Sequence, residues 1–193
     1  WGSRPMTWQV KERSKSSAGR LMFPHFILDN PYNILIEVFG IYRWEIIKEM
    51  LGPLWNDITK MSLTAEYTDY IQYYKKNKDL SLETKEKIYQ TFKKFRTDRE
   101  RFVNDYKFWI KFESEGRPML NKVVRNIFYR HCPFPREMRE KLKDMPAYSE
   151  IYVKFGNLKR KEIRGLRNKY HKYAKGDNQL PPELEENINF HLR

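Results

Sequence analysis

The chain has 193 residues, 40% of them hydrophobic and 16% aromatic, which is enough apolar material for a core and excludes a wholly disordered chain. Its 38 Lys and Arg stand against 25 Asp and Glu, and the formal charge of +13 points to acidic partners. No run of roughly 18 apolar residues occurs, which argues against a transmembrane helix. The single cysteine, Cys132, excludes an internal disulfide and any metal site built on two thiolates.

Residues 1–20 read as a flexible basic arm. Two readings of its start stay open. Residues 1–5 are a tag remnant with Met6 as the native start, or they are the end left when a targeting segment is removed. Residues 11–20 (KERSKSSAGR) have the Arg/Ser-rich character of mitochondrial presequences. From residue 21 onward the apolar residues recur at helical spacing. Asn30-Pro31 predicts a cap followed by Pro in the first turn, and helices are expected over 31–39 and 42–51, closed by Gly52-Pro53. Leu63, Tyr67, Tyr70, Ile71 and Tyr74 predict a helix over 63–77. Leu82, Tyr89, Phe92 and Phe95 predict another over 82–96. Thr97-Asp98-Arg99-Glu100 fits a capping box opening a helix over 98–115. Its stripe runs Phe102, Tyr106, Trp109 and Ile110, and the next position is the polar Glu113. Leu120, Val124, Ile127, Phe128 and His131 mark a helix over 118–131. After Pro133 and Pro135, helices are expected over 135–144, 147–155, 159–174 and 182–191. Residues 150–155 also read as a short strand, but one strand without a partner favours helix. The expected fold is all-α, an irregular multi-helix bundle or a short stack of helix pairs, with nine to ten helices. The parts are an N-terminal helical part (21–116), a basic helical part (117–176) and an acidic tail or helix (177–193).

The charge is unevenly placed. Residues 117–175 hold 17 Lys and Arg against 5 Asp and Glu, a local charge of +12. Within them lie Lys154, Lys159, Arg160, Lys161, Arg164, Arg167, Lys169, Lys172 and Lys175, with Glu162 as the one acid over that span. At 3.6 residues per turn Arg160, Arg164, Arg167, His171 and Lys175 share a column. Ile163, Leu166, Tyr170 and Tyr173 form an apolar stripe roughly a third of a turn away. One face is therefore expected to be buried and a cationic ridge to stay outside. Such a ridge suits a phosphate backbone, because each cation that meets a phosphate releases a counterion. An acidic protein partner and a plain solvated face are the competing readings. A membrane surface is disfavoured because the aromatics fit a core stripe. Arg125, Arg130, Arg136 and Arg139 are expected to support the ridge.

Two family resemblances are visible. Ile36-Glu37-Val38-Phe39-Gly40, followed by Trp44, resembles the first half of the Myb/SANT type of three-helix DNA-binding repeat. In that family a helix ends near an aromatic–Gly pair and a Trp opens the next. Pro53-Leu54-Trp55-Asn56-Asp57, which follows here, is not basic. Tyr148, Ile151 and Phe155-Gly156 resemble the second helix. Lys161 to Tyr170 resembles the third, which implies base reading in the major groove. The chain also resembles half-a-tetratricopeptide helical repeats. Tyr70–Tyr73, Trp109–Phe112 and Tyr152–Phe155 stand as first helices, spaced by 39 and 43. Glu86–Tyr89, Arg125–Phe128 and Arg164–Arg167 stand as second helices, spaced by 39 and 39. That resemblance implies an RNA-processing scaffold.

No P-loop, Gly-rich dinucleotide fingerprint, His-Glu-x-x-His or paired-Cys spacing occurs, and the four histidines lie far apart. No catalytic residue, metal ligand or cofactor is therefore expected. His131-Cys132 are neighbours, but adjacent side chains on a helix point apart. Trp44, Trp55 and Trp109 read as core, and Trp1 and Trp8 as anchors of the arm. Tyr70, Tyr73, Tyr74 and Tyr89, near Lys75, Lys76 and Lys78, read as core, with stacking of single-stranded bases as the alternative. The expected function is non-enzymatic nucleic-acid binding through the ridge, DNA or RNA being open, in an intracellular protein of the nucleus or mitochondrial matrix without membrane insertion. The alternative is a helical scaffold or structural subunit of a larger protein–RNA or organellar assembly.

Overall fold

The computed structural model describes residues 6–8, 20–22, 30–76, 81–173 and 181–192. The chain divides into two units, residues 1–131 and 132–193. In the segment expected as an arm (1–20), β1 (Met6–Trp8) pairs antiparallel with β2 (Arg20–Met22), which runs past the arm's expected end, Thr7 standing opposite Leu21. The remainder of that segment, including Trp1, lies outside the described residues.

Asn30 opens α1 (Pro31–Leu51): its Oδ1 accepts from the Tyr32 N–H at 2.8 Å, and Pro31 sits where an N–H would be unsatisfied. The break expected between 39 and 42 is absent. Gly40 lies inside α1, and a Cβ there would come within 3.0 Å of the Tyr106 ring. The glycine is thus the residue that lets α1 approach α4 (Asp98–Lys111) closely, so it sustains packing instead of ending a helix. The stop at Gly52 is present, with φ +53 and its N–H donated to the Lys48 carbonyl. Next come α2 (Leu63–Lys76) and α3 (Leu82–Lys94). The capping box is formed. Thr97 Oγ1 accepts from the Glu100 N–H at 3.2 Å, and Glu100 Oε2 accepts from the Thr97 N–H at 3.4 Å. Beyond Lys111, a short 3-10 turn (113–115) closes on Gly116 at φ +80. Then α5 runs Lys122–His131, with the Val124 N–H donating to Asn121 Oδ1 at 2.9 Å. It starts four residues later than expected because the Met119 and Leu120 N–H groups donate to the Glu113 carboxylate, at 2.7 and 2.6 Å.

In this unit α1 packs on α4 and α2 packs on α5, with further contacts among α1, α2, α4 and α5. Their inward faces meet in an aromatic core. Trp44, Tyr67, Phe102, Trp109 and Phe128 are all buried, with Phe128 stacked on Phe102 at 5.2 Å and on Trp109 at 5.7 Å. Such pairs add about 0.5–1.5 kcal/mol each beyond their buried area. Trp55 is half-buried, edge-on to Trp44 at 6.2 Å. Asp105 reaches this core, its Oδ2 accepting from the Tyr67 hydroxyl at 2.7 Å. Burial pushes its carboxyl up to about 6, against the lowering effect of the Tyr67 and Asn104 hydrogen bonds.

The second unit holds α6 (Arg136–Leu142), α7 (Ser149–Tyr173) and α8 (Pro182–Leu192). Two helices were expected over 147–155 and 159–174, but α7 runs through both. Gly156 costs about 1 kcal/mol in a helix, which does not outweigh the continuous pattern Ile151, Phe155 and Ile163, all buried, in a stretch free of proline. The helices among the described residues are therefore fewer than nine to ten, because Gly40 and Gly156 are both helical. The all-α class holds, with one small hairpin. The Tyr152–Phe155 and Arg164–Arg167 segments lie on the single helix α7, as do the residues resembling two separate Myb/SANT helices apart from Tyr148, which precedes it.

Candidate nucleic-acid interface on α7

A 25-residue helix exposes its charged positions on a regular lattice, and α7 does so over its C-terminal half. Arg160, Arg164 and Arg167 fall within about 60° of one another at 100° per residue, and Lys161 to Lys169 covers about 12 Å of axis. Lys161, Arg164, Arg167 and Lys169 are exposed, and none has a hydrogen-bond or ion-pair partner among the described residues. Arg160 is exposed and its Nη2 donates to Asn157 Oδ1 at 2.7 Å.

Not every expected member of the ridge is bare. Lys154 pairs with Glu150 at 2.5 Å, and Lys159 with Glu162 at 2.8 Å. The Lys159 ammonium also lies 5.7 Å from the Phe155 ring. Solvent-accessible pairs of this type contribute about 0–1 kcal/mol. The side chain of Lys172, with those of His171 and Tyr173, lies outside the described residues, and so does Lys175. The apolar stripe is buried only in part: Ile163 is buried, while Leu166 is 41% exposed.

The four supporting arginines separate. Arg136 is exposed on α6, within electrostatic reach of Glu140. Arg139 is half-buried with its guanidinium 5.0 Å over the Phe155 ring. In the first unit, Arg130 Nη1 donates to Glu66 Oε1 at 2.7 Å. Arg125 is withdrawn from any surface. It is 7% exposed, and its Nε and Nη2 donate to Glu113 Oε2 and Oε1 at 2.6 and 3.1 Å. Its Nη2 also donates to the Leu120 carbonyl at 2.6 Å. With the two backbone donors on Glu113, every oxygen of that buried carboxylate is engaged, and the pair locks the α4–α5 connection. Sequence reasoning placed Arg125 with the ridge because it counted charge by segment. The available signal was Glu113, an acid at the next stripe position after Trp109 and Ile110.

Among the described residues no group of three or more His, Cys, Asp or Glu is placed to hold a metal ion, and no helix is long and apolar enough to cross a membrane. What α7 can do chemically is present exposed cations that have no counter-charge among the described residues along one helix. Neither a curated protein nor a solved structure is matched by the chain. A family model described as a domain of unknown function, DUF8509, matches residues 52–190, which reach from the end of α1 into α8. The chain belongs to that family.

Proposed function

We propose that the chain binds nucleic acid without catalysis, using Arg160, Lys161, Arg164, Arg167 and Lys169 of α7 to neutralise successive phosphates. The observation that carries this reading is the set of exposed cations on α7 that have no counter-charge among the described residues. Lys154 and Lys159, paired with Glu150 and Glu162, add little net charge to these five. Arg125 takes no part, and Arg130, engaged by Glu66, takes none either.

The test is an anisotropy titration of labelled duplex and single strands at several salt concentrations. Engagement of all five residues predicts a log–log slope of about −4.5 on B-DNA and about −3.5 on a single strand. Arg160/Arg164/Arg167→Glu abolishes binding. Affinity unchanged by that triple reversal refutes the assignment.

The second reading is a helical scaffold or structural subunit of a larger assembly. It is favoured by the exposed Tyr32, Leu35 and Phe39 of α1, spaced at i, i+3 and i+7, and by the exposed acids Glu183, Glu185 and Glu186 of α8. Loss of a co-purifying partner in a Leu35→Lys/Phe39→Lys variant, with nucleic-acid affinity intact, separates it from the first.

A further inference from the structure

The first unit carries a cleft of about 260 Å³ between α2 and α5 whose chemistry is opposite to that of the α7 ridge. One wall is aromatic. Tyr70, Tyr73 and Tyr74 follow one another along α2, with Tyr74 4.8 Å from Tyr70 at 62° and 5.5 Å from Tyr73 at 82°. Crossed rings of this kind offer both faces and edges to an occupant. The opposing wall is aliphatic, Val123 and Ile127 being one turn apart on α5, and Ile58 of the 58–60 turn adds to it.

Two carboxylates line the same cleft, and among the described residues no lysine or arginine does. Glu66 is already engaged, accepting from Arg130 at 2.7 Å and lying 3.4 Å from His131 Nε2. Burial pushes its carboxyl up, but these two partners outweigh that and hold it below the ordinary range, so it stays ionised. Asp69, one turn on, is exposed and has no partner among the described residues. The Tyr70 hydroxyl accepts from Asn121 Nδ2 at 2.5 Å, which fixes that ring. Burial pushes its phenol up to about 12, so it remains neutral. Tyr73 is 58% exposed at the opening, edge-on to Tyr74.

This combination selects its occupant. The Asp69 carboxylate, with no cation of its own among the described residues, repels a phosphate and so disfavours a nucleotide. A purely apolar side chain would cover Asp69 without pairing it. A flexible apolar stem ending in a cation satisfies all the walls at once, because tyrosine faces attract a cation electrostatically. The cleft is smaller than the roughly 300–1,000 Å³ of drug-sized ligand sites, which suits a single side chain. We propose that this cleft takes a lysine side chain of a partner protein, its methylenes against Val123, Ile127 and Ile58 and its ammonium between the tyrosine rings and the Asp69 carboxylate. The proposal is independent of the α7 reading, since it rests on other residues and the opposite charge.

The test uses the full chain and capped pentapeptides with one central residue in a glycine context. The lysine peptide is expected to give saturable NMR shifts of the Val123 and Ile127 methyl groups, while norleucine and N-acetyl-lysine peptides give none. Asp69→Asn weakens the lysine peptide by about tenfold, and Tyr73→Ala weakens it comparably. Both positions are exposed, so both variants keep the fold, which unchanged tryptophan fluorescence verifies. Equal binding of the norleucine peptide, an unaltered affinity in Asp69→Asn, no binding of the lysine peptide, or a mononucleotide occupying the cleft instead overturns the proposal.

Discussion

Replacing Arg125 with Met tests whether that arginine belongs to the interior or to a contact surface. Met preserves the length and the apolar stem and deletes the charge. In the wild-type protein Glu113 accepts from Met119, Leu120 and twice from Arg125, with no exposed surface of its own. The variant keeps the two backbone donors and strands the carboxylate. Removing one partner of a buried pair costs about 3–5 kcal/mol, a large share of the roughly 5–15 kcal/mol that stabilises a domain. Protonation is the one escape for the stranded group, so the deficit shrinks as pH falls. Adding Glu113→Gln to Arg125→Met recovers part of the loss, because the double variant buries no charge at this site. The assay is urea unfolding at pH 5 and pH 7.5 followed by tryptophan fluorescence, which reports the first unit alone since no tryptophan follows Trp109. A loss under about 1 kcal/mol, or weakened nucleic-acid binding by a fully stable variant, would refute the interior assignment.

Asp105→Asn is expected to stabilise the first unit at neutral pH. A carboxyl raised from 3.8 to about 6 favours the folded state fully below pH 3.8 and loses that contribution as pH rises through about 6. The difference is worth up to roughly 3 kcal/mol, and Asn keeps the acceptor for Tyr67; urea midpoints at pH 4.5 and 7.5 should converge in the variant. Glu66, held low, acts in the opposite sense, with its contribution present above 4.5 and lost only below it. The two helical glycines should respond in opposite directions. Gly156→Ala meets open space and gains about 0.4–1 kcal/mol, whereas Gly40→Leu drives into Tyr106 and Val103 and costs about 1–3 kcal/mol or more. Thermal unfolding by circular dichroism measures both.

The helices were legible because their signals are local. Asn30, Gly52 and the Thr97–Glu100 box act within four residues of themselves, and each forms the bond its sequence predicts. The two breaks that do not occur were placed at glycines whose role is decided at long range or by pattern continuity. Gly40 answers to Tyr106, 66 residues on. Gly156 sits in a stripe that never loses its period. Segment charge located the α7 ridge but could not tell a bare cation from a paired one. Arg125 and Arg130 are engaged by Glu113 and Glu66, partners 12 and 64 residues away that no helical spacing connects to them. The α2 cleft was half legible. Tyr70, Tyr73 and Tyr74 stood out as a run, but the walls from Val123 and Ile127 exist only once α2 and α5 meet.

The bare cations of α7 carry a consequence that separates a binding ridge from an ordinary solvated face. Arg160 and Arg164 are four residues apart and Arg164 and Arg167 three apart, and like-charge neighbours at these spacings destabilise a helix by about 0.2–0.5 kcal/mol each. Lys161 adds a further such neighbour to Arg164. The repulsion is screened beyond about 8 Å at physiological ionic strength, so salt relieves it. The same salt competes with nucleic acid for the same charges. Raising sodium chloride from 50 to 200 mM should therefore stabilise the second unit while weakening binding by roughly two to three orders of magnitude. A short polyphosphate at constant salt should stabilise it by occupying the ridge, and Arg160/Arg164/Arg167→Glu should remove that gain. Hydrogen exchange of the 160–170 amides reads this region directly. Exchange that slows neither with salt nor with polyphosphate would mean that the cations neither repel one another enough to matter nor collect an anion, and α7 would then be an ordinary surface helix.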